Sequence, residues 1–347
     1  MNLVILVTDL SIKKPAHATI RIAREATNRD HQVWFMTAAD FSLNADDSLW
    51  LRARRCPKSR YKSNATYLRD LQKDSIEEVL PAKDVQVLFL RDNPARYNTE
   101  MGWAKSTAPL FARLATREGV LVLNDPDGLA GAVNKLYFQS FPRSVRPLTL
   151  ISRDREEIRE FAQTVKGKMI IKPLQGSGGK GVFLVEKQAT YNLNQLTESL
   201  FRDGYVIAQE YLPEAADGDL RIFLMNGRPL TAKGKYAAFH RRGKSDDIRS
   251  NVHAGGSIGK AEITPMVLEL CEAVRAQLVA DGMFLVGLDI VGDKIMEINL
   301  FCPGGIDGME KLEGVNFSAE IIRSMENKIK EEAAIGRAFL NREIATF

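Results

Sequence analysis

The stretch MIIKPLQGSGGKGVFLVE, Met169 to Glu186, sets Gly176, Gly178 and Gly181 in the spacing G-x-G-x-x-G, just after Lys172. Glycines so spaced can hold phosphate, but which phosphate depends on the element the loop leads into. A Rossmann loop must open a helix, so that pyrophosphate meets the helix N-terminus. Here VFLVE comes at once and reads as a strand, so the dinucleotide reading fails on context. Gly176 to Gly181 also has Walker spacing, yet Val182 stands where that loop needs lysine. There remains a glycine hairpin between two strands with a lysine on the first. It is suited to covering triphosphate oxygens with backbone N–H groups while Lys172 supplies charge. A plain β-turn is the bland alternative.

A second constellation lies in FLVGLDIVGDKIMEINLFCPGG, which carries Asp289, Glu297 and Asn299. If Gly292 and Asp293 formed a two-residue turn, Asp289 and Glu297 would fall on opposite faces of the hairpin. A three-residue turn of Gly292, Asp293 and Lys294 sets them opposite each other. It also gathers Leu288, Ile290, Met296, Ile298 and Leu300 on the other, wholly apolar face, and the sequence is read with that register. Two carboxylates and an amide then share the polar face, oxygen ligands suited to one or two Mg²⁺ ions that also hold phosphate oxygens. A solvated acidic face is the alternative.

These residues need a scaffold. Residues 1 to 124 alternate apolar runs (LVILVT, QVWFM, VQVLFLR, VLVLN) with amphipathic stretches at Ala16 to Arg29 and Glu100 to Glu118, around a basic loop. That alternation predicts a small parallel sheet covered on both faces. Residues 125 to 212 read as a helix from Gly128 to Phe141, a strand near Leu148, a charged helix from Asp154, the glycine hairpin, another helix and the strand YVIAQEYL. Residues 213 to 330 begin with paired strands LRIFLMN and PLTAKGKY joined at Gly227, then a polar loop to Gly259. A helix from Pro265 to Asp281, the Phe284 to Leu300 hairpin and a closing helix from Phe317 to Lys330 complete that part. The tail, 331 to 347, reads as an exposed helical extension.

The bulk properties narrow the partners. Of 347 residues, 45% are hydrophobic and 27% charged, the balance of a soluble globular chain, and a net charge of +4 is small for this length. The basic clusters Arg52 to Arg60 and His240 to Lys244 read as solvated faces or mobile loops, so nucleic acid is not expected. No run approaches a membrane span and MNLVILVTDL lacks the features of a signal peptide. Cys56, Cys271 and Cys302 show no metal spacing, which favours a reducing, cytoplasmic setting without disulfides. His17, His31, His240 and His253 show none either. Trp34, Trp50 and Trp103 are expected to be core or partly buried, and Cys302 to be a packing or substrate-contact residue.

Taken in order, Lys135 in NK, Lys172 in IIKPLQGSGGKGVF, AQEYL followed by DGDLRIF, RSNVHAGG and VGLDIVGDKIMEIN resemble the nucleotide and metal motifs of the ATP-grasp carboxylate-amine ligases. The resemblance covers most of residues 120 to 310. Within that group the chain looks most like the bacterial glutathione synthetase family, through EYLPEAADGDLRIFLMNGRPL, FLVGLDIVGDKIMEIN and LFLRDNPARYNTE. It implies an α/β ATP-grasp fold with an N-terminal parallel α/β pre-ATP-grasp domain. The divisions are a substrate domain at 1–124, a small lid subdomain at 125–212, a C-terminal subdomain with the metal hairpin at 213–330, and the tail.

By the same resemblance Lys135, Lys172 and the loop Gly176, Ser177, Gly178, Gly179 would contact ATP phosphates. Gln209, Glu210, Tyr211 and Leu212 would line the adenine pocket, and Asp219 would join the nucleotide site. Asp289, Glu297 and Asn299 would bind Mg²⁺, as two ions, or Mn²⁺. Arg221, Arg249 and Asn251 would serve the phosphates and the acyl group, and Arg91, Gly304 and Gly305 the substrate. Arg91 ends an apolar strand, where α/β sheets tend to place ligands; a structural ion pair is the alternative for it.

Three departures bear on the substrate. Asp92 and Asn93 stand where the family pattern has Lys-Asp, FHRRGKSDDIRSN is richer in charge than the family's glycine-rich clamp, and NLFCPGGIDGMEK replaces a Thr-Ser-Pro-Thr-type segment. RSNVHAGG and PGGIDGME look instead like the ligases that add glutamate to ribosomal protein S6. The implied activity is ATP-dependent amide formation through an acyl phosphate, with γ-glutamylcysteine and glycine giving glutathione. The alternative is addition of glutamate or another amino acid to a peptide or protein carboxylate. A silent ATP-binding regulatory module would lack the metal residues, which are all present. The partners implied are small dipeptide or amino-acid substrates, and a homo-oligomer is compatible with the sequence. Cover for the acyl phosphate would come from the glycine loop and Phe239 to Asn251.

Overall fold

A computed structural model describes residues 1–97, 99–165, 167–176, 181–186, 192–243, 256–335 and 340–347. The first sheet is built on strands β1 (Asn2–Leu6), β2 (Gln32–Met36), β3 (Phe41–Leu43), β4 (Leu49–Arg55), β5 (Ile76–Pro81), β6 (Val87–Leu90) and β7 (Leu121–Leu123). Its order is β3-β4-β2-β1-β6-β7, with β5 also on β4. Strands β2, β1, β6 and β7 are parallel, as the alternating pattern predicts. Strands β3, β4 and β5 add an antiparallel flank that the sequence reading lacks.

The expected basic loop is in part strand β4, because its arginines find carboxylates on the neighbouring strand. Arg54 pairs with Glu77 and Arg55 with Glu78 across β4 and β5. Residues alternate across the parallel core: Leu3 and Ile5 pack under helices α1 (Ala18–Asn28) and α2 (Asn64–Lys73), while Val4 and Leu6 pack under α3 (Ala104–Arg117). Each such fully buried aliphatic side chain contributes about 1.5–3 kcal/mol. Trp34 is buried, whereas Trp103, expected inside or half inside, is 45% exposed ahead of α3.

The expected helix from Gly128 to Phe141 is broken. Helix α4 (Pro126–Gly131) ends early, Asn134 adopts extended backbone, and its side chain caps a 3₁₀ turn, Lys135–Ser140. The break is productive, since the Lys135 N–H reaches Leu174 O at 3.3 Å and its Nζ donates to Gly176 O.

The second sheet holds β8 (Thr149–Ser152), β9 (Met169–Pro173), β10 (Phe183–Val185) and β11 (Val206–Glu210), antiparallel in the order β10-β9-β11-β8. Helices α5 (Arg155–Thr164) and α6 (Leu193–Phe201) cover one face through Ile158, Leu193 and Leu200. Asp154 accepts from the N–H groups of Glu156 and Glu157, which starts α5 where the sequence reading puts it.

The third sheet comprises β12 (Asp219–Met225), β13 (Arg228–Pro229), β16 (Ala238–Arg242), β17 (Ser257–Gly259), β18 (Leu285–Val291) and β19 (Lys294–Asn299). Between them β14 (Thr231–Ala232) and β15 (Lys235–Tyr236) form a small hairpin of their own. The order is β17-β16-β12-β18-β19. Two expectations change: PLTAKGKY is split among β13, β14 and β15, and the stretch read as a polar loop both begins and ends as strand. Helix α7 (Pro265–Ala280) packs Val274 and Leu278 on one face of this sheet. Helices α8 (Ile306–Glu313) and α9 (Phe317–Ile335) lie with Phe223 and Phe239 in the other core.

Both large cores join the first and third sheets. Arg21 pairs with Glu310, and Arg29 and His31 share Glu326, tying α1 and β2 to α8 and α9. The tail is not the extension the sequence reading expects. Helix α10 (Asn341–Ile344) returns to the body, Ile344 and Ala345 are buried, and the Asn341 amide accepts from Val122 N at 2.8 Å and donates to Val122 O at 2.9 Å, closing the edge of β7.

Candidate functional site

The hairpin β18–β19 departs from the expected turn and reaches the same pairing. Val291 pairs with Lys294, so the turn has two residues, Gly292 and Asp293, and Gly292 takes the left-handed φ of +55°. A β-bulge then leaves Met296 unpaired and restores Asp289 opposite Glu297 and Gly287 opposite Asn299. Met296 consequently leaves the apolar face assigned to it and lines a cleft.

Register carries a polar row across four strands. Arg241 lies opposite Asp219, Arg221 opposite Asp289, and Asp289 opposite Glu297. Arg221 donates from Nε and Nη2 to the Asp289 carboxylate, the latter at 2.7 Å, and from Nη1 to Gly304 O at 3.3 Å. Arg241 bridges Asp219 and Asp289, the latter at 2.9 Å. Both arginines and both aspartates are buried. Burial alone would raise the Asp289 pKa, but the Arg221 and Arg241 charges outweigh it and hold the carboxyl below its ordinary value. Arg241 is raised because the two aspartates overcome its desolvation. The sequence reading missed Arg241; its only signal was a cation in FHRR at the end of a short apolar run.

Lys135, Lys172, Gly176 and Gln209 come together with Glu297 and Asn299 in one cleft, whose lining also includes Asn93, Lys105, Met296 and Cys302. Lys172 donates to Gln209 Oε1 at 2.9 Å, and Gln209 donates to Thr149 at 3.0 Å. Burial lowers the Lys172 pKa to about 8 and also lowers that of Lys135, against the opposing pull of Glu297 on both. Buried cations that lack a salt bridge among the described residues favour an arriving anion.

Other candidates fall elsewhere. Glu210 accepts from Leu148 N at 2.6 Å, the Tyr211 N–H bonds Lys168 O, and Leu212 precedes the turn Pro213–Asp217; none lines the cleft. Arg91 is buried, donating to Thr19 Oγ1 at 3.3 Å and to Pro303 O at 2.9 Å, so it braces the backbone beside Gly304. Gly305 starts α8 at φ +114°, where a Cβ would strike the Phe239 ring at 2.4 Å. Ser177, Gly178, Gly179, Arg249 and Asn251, and with them most of the expected clamp, lie outside the described residues.

Cys302 sits at the cleft near Thr19, whose Oγ1 is 3.8 Å from Sγ. Burial would raise its pKa, yet Arg91 and His17 bring it down to about 6, while burial pushes Cys56 and Cys271 up to about 12.

Two family models divide the chain between them. The prokaryotic glutathione synthetase N-terminal domain matches residues 1–130, and the ATP-grasp domain of the same enzyme matches residues 134–314. The chain belongs to the prokaryotic glutathione synthetase family. Curated members agree end to end: the glutathione synthetase of Gloeobacter violaceus is 32% identical over 93% of this chain and 95% of its own, and that of Synechococcus elongatus 30% over 95% and 100%. That of Brucella melitensis is 32% identical over 87% and 90%. The fold is shared more widely among ATP-grasp ligases. A D-cycloserine synthetase superposes at a TM-score of 0.58 and 13% identity, over 94% of this chain and 99% of that one. A RimK domain protein from Sphaerobacter thermophilus superposes at 0.56 and 15%, over 93% and 98%. The chain is thus an ATP-dependent ligase of the glutathione synthetase family, and that family implies use of ATP and a divalent metal. No helix among the described residues is long and apolar enough to cross a membrane.

The donor set fits such a metal. Among the described residues no three His, Cys, Asp or Glu side chains cluster as a metal cage. Asp289, Glu297 and Asn299 instead offer two carboxylates and an amide on adjacent strands, with Asn299 Nδ2 3.3 Å from Asp289 Oδ2. Few protein oxygens, completed by substrate phosphate and water, is how Mg²⁺ is usually held.

Proposed function

We propose that this chain joins γ-glutamylcysteine to glycine, with ATP converted to ADP and phosphate, and so makes glutathione. The observation that carries the reading is the cleft in which Lys135 and Lys172 share a lining with Glu297 and Asn299. The end-to-end likeness to glutathione synthetases supplies the substrates. Lys135 and Lys172 take the phosphate oxygens, with the loop Gly176–Gly179 covering them. Gln209, which lines the cleft, orients Lys172.

Asp289, Glu297 and Asn299 hold Mg²⁺, two ions in this reading, and Mn²⁺ can serve in its place. Bound there, the metal neutralises phosphate charge. Arg221 and Arg241 fix the Asp289 carboxylate in direction. Arg221, with Arg249 and Asn251, stabilises the γ-phosphoryl group as the cysteinyl carboxylate attacks it, giving an acyl phosphate and ADP. The glycine amine then attacks the acyl carbon, phosphate leaves with the P–O bond intact, and the amine loses a proton. None of these steps needs a nucleophilic side chain. The work is alignment and charge neutralisation. Asp219 acts through Arg241, and Arg91 through the backbone before Gly304 and Gly305. A cytoplasmic setting and small soluble substrates complete the reading.

The test is ADP release with Mg·ATP and γ-glutamylcysteine, with and without glycine, with the product identified by mass. Glycine-dependent glutathione formation that is lost in Glu297→Ala supports the reading. Turnover only with glutamate or an acidic peptide as co-substrate would replace it with a peptide-directed amino-acid ligase.

A further inference from the structure

The cleft has a wall contributed by the N-terminal unit, made of Asn93, Pro94, Ala95 and Lys105. Among the described residues of that wall Lys105 alone carries a formal charge. It is the second residue of α3, whose first turn holds no acidic side chain. A cation there faces the positive end of the helix dipole, an arrangement that costs local stability. Among the described residues no carboxylate forms an ion pair with Lys105 to offset this. A lysine held against its helix, lining a ligand cleft and with no ion-pair partner among the described residues, fits a role filled by a bound anion.

The phosphates are served by Lys135 and Lys172, so a different anion is needed at Lys105. Glycine is too short: its carboxylate lies next to the amine that must reach the acyl carbon. The acyl substrate is longer, and its γ-glutamyl end carries a second, non-reacting carboxylate several bonds from the reacting one. The N-terminal wall and Lys135, Lys172, Glu297 and Asn299 line one cleft, so the wall is available to that far end when the reacting carboxylate is at the phosphates. We propose that Lys105 is a specificity-determining residue that binds the non-reacting carboxylate of the acyl substrate. The inference rests on the reading of the chain as a glutathione synthetase.

The test is a cycle of two changes. Lys105→Gln and Lys105→Arg are compared with the wild type on γ-glutamylcysteine and on 4-aminobutyryl-cysteine, which lacks the α-carboxylate. For Lys105→Gln, KM for γ-glutamylcysteine is expected to rise about 10- to 100-fold, the range of one charge-assisted hydrogen bond. KM for ATP and for glycine should stay within about twofold, and Lys105→Arg should recover most of the loss. The wild type should lose as much on the truncated substrate, and the two losses should not add. Equal penalties for Lys105→Gln on both substrates, or a rise in KM for glycine or ATP instead, would overturn the assignment. A wild type that forms no glutathione at all would overturn the functional reading and this assignment with it, an outcome visible before any variant is compared.

Discussion

The polar row of the third sheet and the lysine cleft beside it carry charge in opposite ways. Asp219, Asp289, Arg221 and Arg241 are each at most 7% exposed, and their two positive and two negative charges cancel within the sheet. Among the described residues Lys105, Lys135 and Lys172 line a cleft to which Glu297 alone adds a carboxylate, an excess of positive charge. The first region has its charges met within the sheet in the empty protein, which fixes Asp289 and Arg221 in direction. The second is left with unmet charge in the empty protein, and that stored cost favours binding of a polyanion.

Removing one member from each region tests this contrast most severely. Asp289→Ala leaves Arg221 and Arg241 buried without the carboxylate between them and should lower stability by about 3–5 kcal/mol in urea denaturation, with ligase turnover lost as well. Lys172→Met removes a cation whose desolvation outweighs the pull of Glu297. ADP release should fall by about 10²–10³ while the denaturation midpoint of the empty protein holds or rises. A midpoint drop as large as that of Asp289→Ala would erase the distinction.

A smaller effect concerns pH. Burial holds the folded pKa of Lys172 at about 8, below the ordinary 10.5. Above pH 8 the empty protein carries Lys172 increasingly neutral, and triphosphate binding must recharge it. ATP affinity should therefore decline as pH rises past about 8, by up to about tenfold per unit. Calorimetry at pH 9 in two buffers of different ionisation heat should show proton uptake on binding. Equal heats in the two buffers would mean that Lys172 is already charged.

The mildest effect probes the edge of the cleft. At neutral pH iodoacetamide should label Cys302 well before Cys56 or Cys271, because only Cys302 is held below neutrality, at about 6, by neighbouring cations. Peptide mapping after partial labelling reads this directly. Labelling that begins at Cys56 would show that Arg91 and His17 do not govern the site.

Much of the scaffold was legible because local patterns were consistent with it. Apolar runs marked β1, β2, β6 and β7, Asp154 marked the start of α5, and the apolar face of the hairpin placed Asp289 opposite Glu297 even though the expected turn was one residue too long. The bulge at Met296 was invisible, since a bulge and a longer turn give the same facing carboxylates. The flank β3–β4–β5 was hidden because Arg52, Arg54 and Arg55 read as solvated charge until Glu77 and Glu78 lie across from them. Arg241 escaped notice for the same reason: its importance rests on Asp219 beside it and on Asp289, which lies far along the chain on a strand beyond β12.

Residue type and periodicity alone settled the chemistry on offer: a lysine before a glycine hairpin, and two carboxylates with an amide on one face of another. Both are local properties, and they survive without the fold. Which charges are neutralised and which are left waiting was decided by the packing of the three sheets. Desolvation and Coulomb attraction depend on neighbours distant in sequence, such as Arg91 near Cys302 and Lys105 on the wall of the cleft that Lys172 also lines.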